Sequence, residues 1–470
     1  MSFNSLIFIV FIFIFFAVWK FAKKHNISRW FTLTFFSFIF YGWWDWRFLF
    51  LIIFSGGVDF FAGIFMVKFP SRKRLFFILS LIGNLGSLFL FKYSLFIATQ
   101  FEIIASYFNL KIELASNIPE FVLILPVGIS FYTFQSMSYT IDIYRNQLKP
   151  TYNILHFFSY LSMFPQLVAG PIVRAKDMLK QLNSYKKVNS IQIWNGIKLI
   201  VYGLFLKVVI ADNLAEMVNV AFSGISSWDS TPYWWVIMIS FSFQIYGDFA
   251  GYSLIAKGLA KCMGYQFKIN FNHPYISLSL KEFWRRWHIS LSTWFKDYVY
   301  IPLGGNKRGL ILGILFMNIT MVVSGIWHGA KWGMIIWGLL HGLFLTFERL
   351  VPIYKHLNKI KFGKYLNLIW VNILVIIAWV FFRSDSYVQA NEIIVKMFVD
   401  IDLNIDFIAY NFPFEIFLII AILIEAFYFY KSIRNKWNKN NFIEMGSLIF
   451  AVIMIVYFRG PETDFIYFQF

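Results

Sequence analysis

A single cysteine, Cys262, stands among the 470 residues. One thiol excludes an intrachain disulfide framework and any cysteine-rich metal site. Charge is scarce too. Only 14% of the residues are Asp, Glu, Lys or Arg, against about 25% in an average soluble domain. Several catalytic signatures are missing. The chain has no Walker loop, no Gly-x-Gly-x-x-Gly fingerprint and no His-Glu-x-x-His pair. Nucleotide-driven transport, dinucleotide redox chemistry and zinc proteolysis therefore lose their usual marks, and no metal site is expected. A Gly-x-Ser-x-Gly elbow is also absent, so a serine-hydrolase step has to come from another polypeptide.

What is present is apolar and aromatic. Hydrophobic residues make up 59% of the chain, with 60 Phe, 25 Tyr and 18 Trp. One soluble globule of this size cannot hide that much apolar surface, so lipid must cover part of it. The net charge is +18. In a soluble protein such an excess points to nucleic acid. Here the basic residues lie between apolar runs, so the expected partner is the anionic inner leaflet, not nucleic acid.

A membrane-crossing helix needs roughly 20 mostly apolar residues. Candidate spans are 4–20, 30–48, 50–67, 75–98, 121–143, 191–211, 233–256, 310–328, 332–348, 366–382, 413–430 and 442–458. The stretch 155–169 is apolar but short and holds Pro165, which suits a re-entrant or buried piece. The first run has Lys20, Lys23 and Lys24 after it and no small-residue cleavage site, so it reads as a retained span and not a secretory signal. The connecting loops sort by charge. Loops 20–29, 68–74, 171–190, 257–309, 349–364 and 431–439 are rich in Lys and Arg, whereas 212–232 and 384–412 are acidic. The positive-inside rule puts the basic set in the cytoplasm, and alternation then places both termini outside. No internal repeat or Gly/Ser linker breaks the chain. The expectation is one all-α, multi-pass membrane domain over 1–470 with roughly a dozen spans.

The stretch from Asp248 to His341 carries the chemistry. Lys281-Glu282-Phe283-Trp284-Arg285-Arg286-Trp287-His288 is too charged to face lipid, since one Lys or Arg at the bilayer centre costs about 2.5–3.5 kcal/mol. If 280–296 is one helix, Lys281, Arg285, His288 and Ser292 share a face, with Trp284, Trp287 and Trp294 around the other sides. Such a helix fits the wall of a polar funnel. Lys281, Arg285, Arg286, Trp284 and Ser292 are then the candidate contacts for a phosphate-rich or carboxylate ligand. An interfacial helix with snorkelling cations explains the same pattern. The span 310–328 ends in Ser324-Gly325-Ile326-Trp327-His328-Gly329. His328 is an ionisable residue among glycines and aromatics at the end of an apolar span, a pattern that marks a functional group or a hydrogen-bonded packing residue. A neutral imidazole is the natural base for a hydroxyl near pH 7. His288 could orient it, stabilise an oxyanion or touch the donor.

These residues resemble the membrane-bound O-acyltransferase family, in its bacterial alginate and peptidoglycan O-acetyltransferase branch. The likeness runs through Tyr41-Gly42-Trp43-Trp44-Asp45, Phe91-Lys92-Tyr93, Leu125-Pro126-Val127-Gly128-Ile129-Ser130-Phe131-Tyr132-Thr133-Phe134-Gln135 and Phe164-Pro165-Gln166-Leu167-Val168-Ala169-Gly170-Pro171-Ile172. It is strongest from Phe283-Trp284-Arg285-Arg286-Trp287-His288 to Trp327-His328-Gly329. The resemblance implies that His328 is the signature catalytic histidine and His288 the second one. It implies a thin core between cytoplasmic and extracytoplasmic funnels, a thioester donor of the acetyl-CoA type and no permanently bound cofactor. It also implies a periplasmic partner of the SGNH-hydrolase type, a polysaccharide acceptor (peptidoglycan or alginate-like) and residence in the bacterial inner membrane. Related teichoic-acid D-alanyl transporters take their acyl group from a carrier protein instead. The chain ends Phe465-Ile466-Tyr467-Phe468-Gln469-Phe470, which resembles a partner motif of D-alanylation systems whose tyrosine carries the acyl group. Tyr467 is accordingly a candidate acyl relay, and an aromatic tail anchored at the interface is the alternative. Two rival functions remain at this level: a transporter for a small anion or lipid-linked sugar, and a scaffold for a polysaccharide complex.

Overall fold

The computed structural model describes the chain except at positions 169, 225, 227, 431–440, 462, 464 and 467–470, so Tyr467 lies outside the described residues. Helices dominate, and among the described residues there is no strand. The chain sorts into two compact units, each discontinuous in sequence. One comprises Met1–Ile197 with Ala256–Lys268, the other Lys198–Ile255 with Ile269–Phe470.

The apolar runs named above fall on helix for most of their length, with a break at 43–45 in the run 30–48. The run 121–143 is interrupted at Pro126 and at Gly128, whose φ of +74° is left-handed. Five helices are long and apolar enough to cross a membrane by length and composition among the described residues: Trp46–Lys68, Pro70–Tyr107, Ser190–Phe222, Leu310–His328 and Gly363–Arg383. Leu6–Ala22 and Phe442–Tyr457 are shorter apolar helices. The described part of the short run 155–169 forms two small buried helices, Ile154–Leu161 and Phe164–Leu167.

In the first unit, helix Leu6–Ala22 is capped by Ser5, which accepts from Phe8 N at 3.2 Å. It buries Phe8, Phe11, Phe15 and Trp19, a stripe at helical spacing, and leaves Leu6, Phe13 and Phe21 exposed for lipid. The stripe meets Phe36, Phe40 and Phe164 edge-on or tilted at 5.0–5.8 Å between ring centroids. Each such aromatic pair contributes about 0.5–1.5 kcal/mol beyond area burial. Among the carboxylates that the same unit buries is Asp59. It accepts hydrogen bonds from Ser80 at 2.5 Å, from Asn84 at 2.8 Å and from Ser136. Three donors from two other helices hold a group that would otherwise be too costly to bury.

The second unit is built on tryptophan. Trp287, Trp337 and Trp379 are almost fully buried, and they pack on one another at 5.1 Å (Trp287 to Trp379) and 6.0 Å (Trp337 to Trp379). Beside them, helices Leu310–His328 and Trp332–Leu350 run in close contact because of two glycines. A Cβ on Gly325 would lie 2.2 Å from Met334 O, and one on Gly338 would lie 2.4 Å from Met321 O. Small residues let membrane helices approach to backbone contact, and here the contact fixes the helix end that carries His328.

Candidate active site

The polar stretch around His288 does not form the single helix that its periodicity suggests. Helix Leu280–Arg286 stops, and a second helix, Ile289–Phe295, starts afresh after His288. The one-face arrangement of Lys281, Arg285, His288 and Ser292 is therefore not formed. The physical reason lies in the backbone at His288, whose φ of +40° and ψ of +55° are left-handed. A residue with a Cβ pays about 1–2 kcal/mol for that conformation, and the neighbouring segment offsets the cost. Ile289 N donates to Asn270 O at 2.8 Å, and Asn272 N donates to Arg286 O at 2.9 Å. Two non-helical segments thus lie side by side and turn His288 inward, where it is 0% exposed.

Asn270 then organises the imidazole. Its Oδ1 accepts from Ser290 N at 3.1 Å and from Ser290 Oγ at 2.8 Å, and its Nδ2 donates to Ser253 Oγ at 3.2 Å. A backbone N–H can only donate, so the atom facing Ser290 N must be the amide oxygen. That same oxygen lies 3.3 Å from His288 Nδ1. The proton of neutral His288 therefore sits on Nδ1, and the lone pair is on Nε2.

His328 is the last residue of helix Leu310–His328 and is 2% exposed. Its ring is boxed by Trp327 at 4.9 Å, Trp337 at 4.9 Å and Phe382 at 5.4 Å, all edge-on. Trp327 also approaches His288, with ring centroids 6.4 Å apart. The two histidines read from the sequence therefore flank one indole, although they lie 40 positions apart in the chain.

The candidate donor contacts divide. Trp284 packs against Trp337 at 5.8 Å and His341 at 5.1 Å. Ser292 Oγ is used locally, donating to Trp287 O at 3.2 Å. Arg286 is engaged by Glu282, with Nη2 to Oε1 at 2.7 Å, and by Asn272 O at 3.0 Å, so it braces the two segments rather than standing open as a ligand cation. Lys281 and Arg285 are exposed on the helix surface.

Sequence reasoning missed three groups. Asn270 sits in an unremarkable polar stretch, and only the fold brings it to His288. His341 is fully buried, with both ring nitrogens unpartnered among the described residues, parallel to Phe283 at 6.2 Å and edge-on to Trp337 at 4.9 Å. Lys207 lies inside an apolar span, and a charge in that position is itself a signal that could have been read.

Comparison with known proteins identifies the family. The family model of the membrane-bound O-acyltransferases matches residues 144–385, the region that holds Asn270, His288, His328 and His341. A probable alginate O-acetylase of Pseudomonas aeruginosa is 37% identical, with 77% of this chain and 68% of that protein aligned. A peptidoglycan O-acetyltransferase of Helicobacter pylori is 32% identical, over 97% of this chain and 94% of its own length. The chain belongs to the membrane-bound O-acyltransferase family. This acyltransferase is also similar to a teichoic acid D-alanyltransferase of Streptococcus thermophilus, 31% identical over 47% of the chain and 56% of that protein. A protein of this family uses an acyl donor as substrate, and among the described residues no group of His, Cys, Asp and Glu is arranged to hold a metal ion.

Proposed function

We propose that this acyltransferase takes an acetyl group from a cytoplasmic thioester of the acetyl-CoA type and delivers it across the bacterial inner membrane for O-acetylation of a cell-surface polysaccharide. Peptidoglycan and alginate-like exopolysaccharide are the two acceptors that its relatives' names suggest. The observation that carries the reading is the pair of buried histidines flanking Trp327, one of them with a set tautomer.

His328 takes the proton of the acceptor hydroxyl as its oxygen attacks the thioester carbonyl. The carbon–sulfur bond then breaks, and the departing thiolate takes that proton back. His288 presents the Nε2 lone pair. It serves as a hydrogen-bond acceptor for a further N–H or O–H at the reacting centre, since the hydroxyl's single proton goes to His328, a role for which its tautomer suits it better than for donating to an oxyanion. Trp284 and the exposed cations Lys281 and Arg285 are the contacts for the donor's phosphates. Both termini face the outside, and a periplasmic SGNH-hydrolase-like partner completes transfer to the sugar. Tyr467 is the candidate hydroxyl that first receives the acetyl group.

The test uses protein reconstituted in liposomes, with labelled acetyl-CoA outside and the partner protein inside. Label should reach the lumen. His328→Ala should cut transfer by about 10²–10⁴, the range of a lost general base, while donor binding persists. A transporter would tolerate His328→Asn, and a scaffold would tolerate loss of both histidines. Either result would end the acyl-transfer reading. The D-alanyltransferase likeness keeps a second acyl group in view. A D-alanyl thioester on its carrier, offered to the same vesicles, decides between them.

A further inference from the structure

Helix Ser190–Leu204 of the chain passes into a wider, π-type turn at Phe205–Ala211 before continuing as Asp212–Phe222. Such turns are rare and re-aim side chains. Here the turn buries Lys207, whose side chain is 7% exposed. An ammonium in an apolar span must be paired. Lys207 Nζ lies 2.8 Å from Asp212 Oδ1 and 2.8 Å from Asp248 Oδ1.

Two carboxylates against one ammonium leave a negative charge over. The donors that answer it come from the C-terminal segment. Ile466 N donates to Asp248 Oδ2 at 2.7 Å, and Thr463 Oγ1 donates to Asp212 Oδ1 at 2.5 Å. In return Lys207 Nζ donates to Thr463 O at 3.2 Å. Two further bonds tie the start of the segment: Gly460 N to Val208 O at 2.9 Å, and Asn213 Nδ2 to Phe458 O at 3.0 Å. Phe465 and Ile466 are buried. The Phe465 ring sits 5.6 Å from Phe249 and 5.2 Å from Tyr252, and Phe249 in turn stands edge-on to His288 at 4.5 Å.

We infer that Lys207, Asp212 and Asp248 form a clamp that positions the C-terminal segment beside His288, as positioning residues for acyl transfer. The inference rests on the acyl-transfer reading above. Apolar contacts alone could bury this aromatic segment, but they would not set its register. A one-residue slip would turn Phe465 away while burying similar area. Bonds to a particular amide and a particular hydroxyl permit one register only, which is the best-attested use of buried charge.

The experiment uses the full chain in liposomes and two readouts: hydrogen–deuterium exchange of the C-terminal peptide, and acyl transfer resolved into kcat and donor KM. Asp248→Ala should raise exchange of that peptide at least tenfold and lower kcat at least tenfold, with donor KM within twofold. Thr463→Val removes the hydroxyl from the tail side and leaves the Lys207 ion pairs intact, so it keeps the test open if Asp248→Ala does not fold. It should loosen the peptide in the same way, and Thr463→Ser should restore both readouts. Deleting residues 459–470 should cost at least as much kcat as Asp248→Ala, and the combined variant should cost no more than the deletion alone. Additive losses, or unchanged exchange in Thr463→Val and Asp248→Ala, would overturn the clamp. The exchange readout needs no turnover, so a wild-type protein that transfers no acyl group would refute the acyl-transfer reading separately.

Discussion

Replacing Asn270 with Leu tests the tautomer argument at its root. The substitution keeps approximate shape and removes the oxygen that faces His288 Nδ1, Ser290 N and Ser290 Oγ. Ser290 Oγ can rotate to another acceptor, but Ser290 N cannot. Leaving such a donor buried costs about 1–3 kcal/mol, so the variant should be less stable by that amount. The catalytic effect is separate. Losing one neutral hydrogen bond worth about 1–1.5 kcal/mol releases the preference for the Nδ1–H tautomer and shifts the tautomer ratio against it roughly five- to tenfold. Release of the His288 backbone from its left-handed turn adds to this loss, so kcat should fall about tenfold or more while donor KM stays within twofold. Asn270→Asp keeps an acceptor at the same place and should retain more activity than Asn270→Leu. The assay is label transfer in the liposomes described above, with thermal stability followed by size-exclusion chromatography after heating. A folded Asn270→Leu protein with wild-type kcat would show that His288 does not depend on Asn270, and the argument for its Nε2 lone pair would fall.

Other outcomes follow from contacts already described. Gly325→Ala drives a Cβ to 2.2 Å from Met334 O, so it should destabilise by about 1–3 kcal/mol, seen as an earlier melt and lower activity. Gly86→Ala in helix Lys73–Leu88 meets nothing within 4 Å and should be neutral, or stabilising by up to about 1 kcal/mol; a loss at Gly86 equal to that at Gly325 would discredit the packing account. Asp59→Ala strands the donors on Ser80, Asn84 and Ser136. It should cost about 2–3 kcal/mol, read as a reduced yield of monodisperse protein, with Asp59→Asn intermediate. Tyr467→Phe keeps an aromatic anchor and removes the hydroxyl. Polysaccharide acetylation that continued undiminished would discard the relay role of Tyr467.

The membrane character was legible because composition alone forces it: 60 Phe and 14% charged residues leave lipid as the only cover. The apolar runs marked the helices for the same reason, since an unpaired backbone in hydrocarbon must close its hydrogen bonds within the segment. His328 stood out in the sequence because an ionisable group at the end of an apolar run is expensive and therefore conspicuous. The break at His288 was not legible. The residues on either side read as helix, and the left-handed turn is held by Asn270 and Asn272, 18 and 14 positions away from their partners His288 and Arg286. The same holds for the clamp: Lys207 and Ile466 are remote in sequence, and nothing in either neighbourhood names the other.

By itself the sequence settled that this is a helical membrane protein and which histidines stand out, because burial cost and helical periodicity are local properties. The tertiary structure alone decided which nitrogen of His288 carries the proton, that both histidines share Trp327, and where the C-terminal segment is tied. Each of these depends on a donor meeting an acceptor, or a ring meeting a ring, across distant parts of the chain. Such pairings are set by packing geometry and leave no periodic trace in the order of residues.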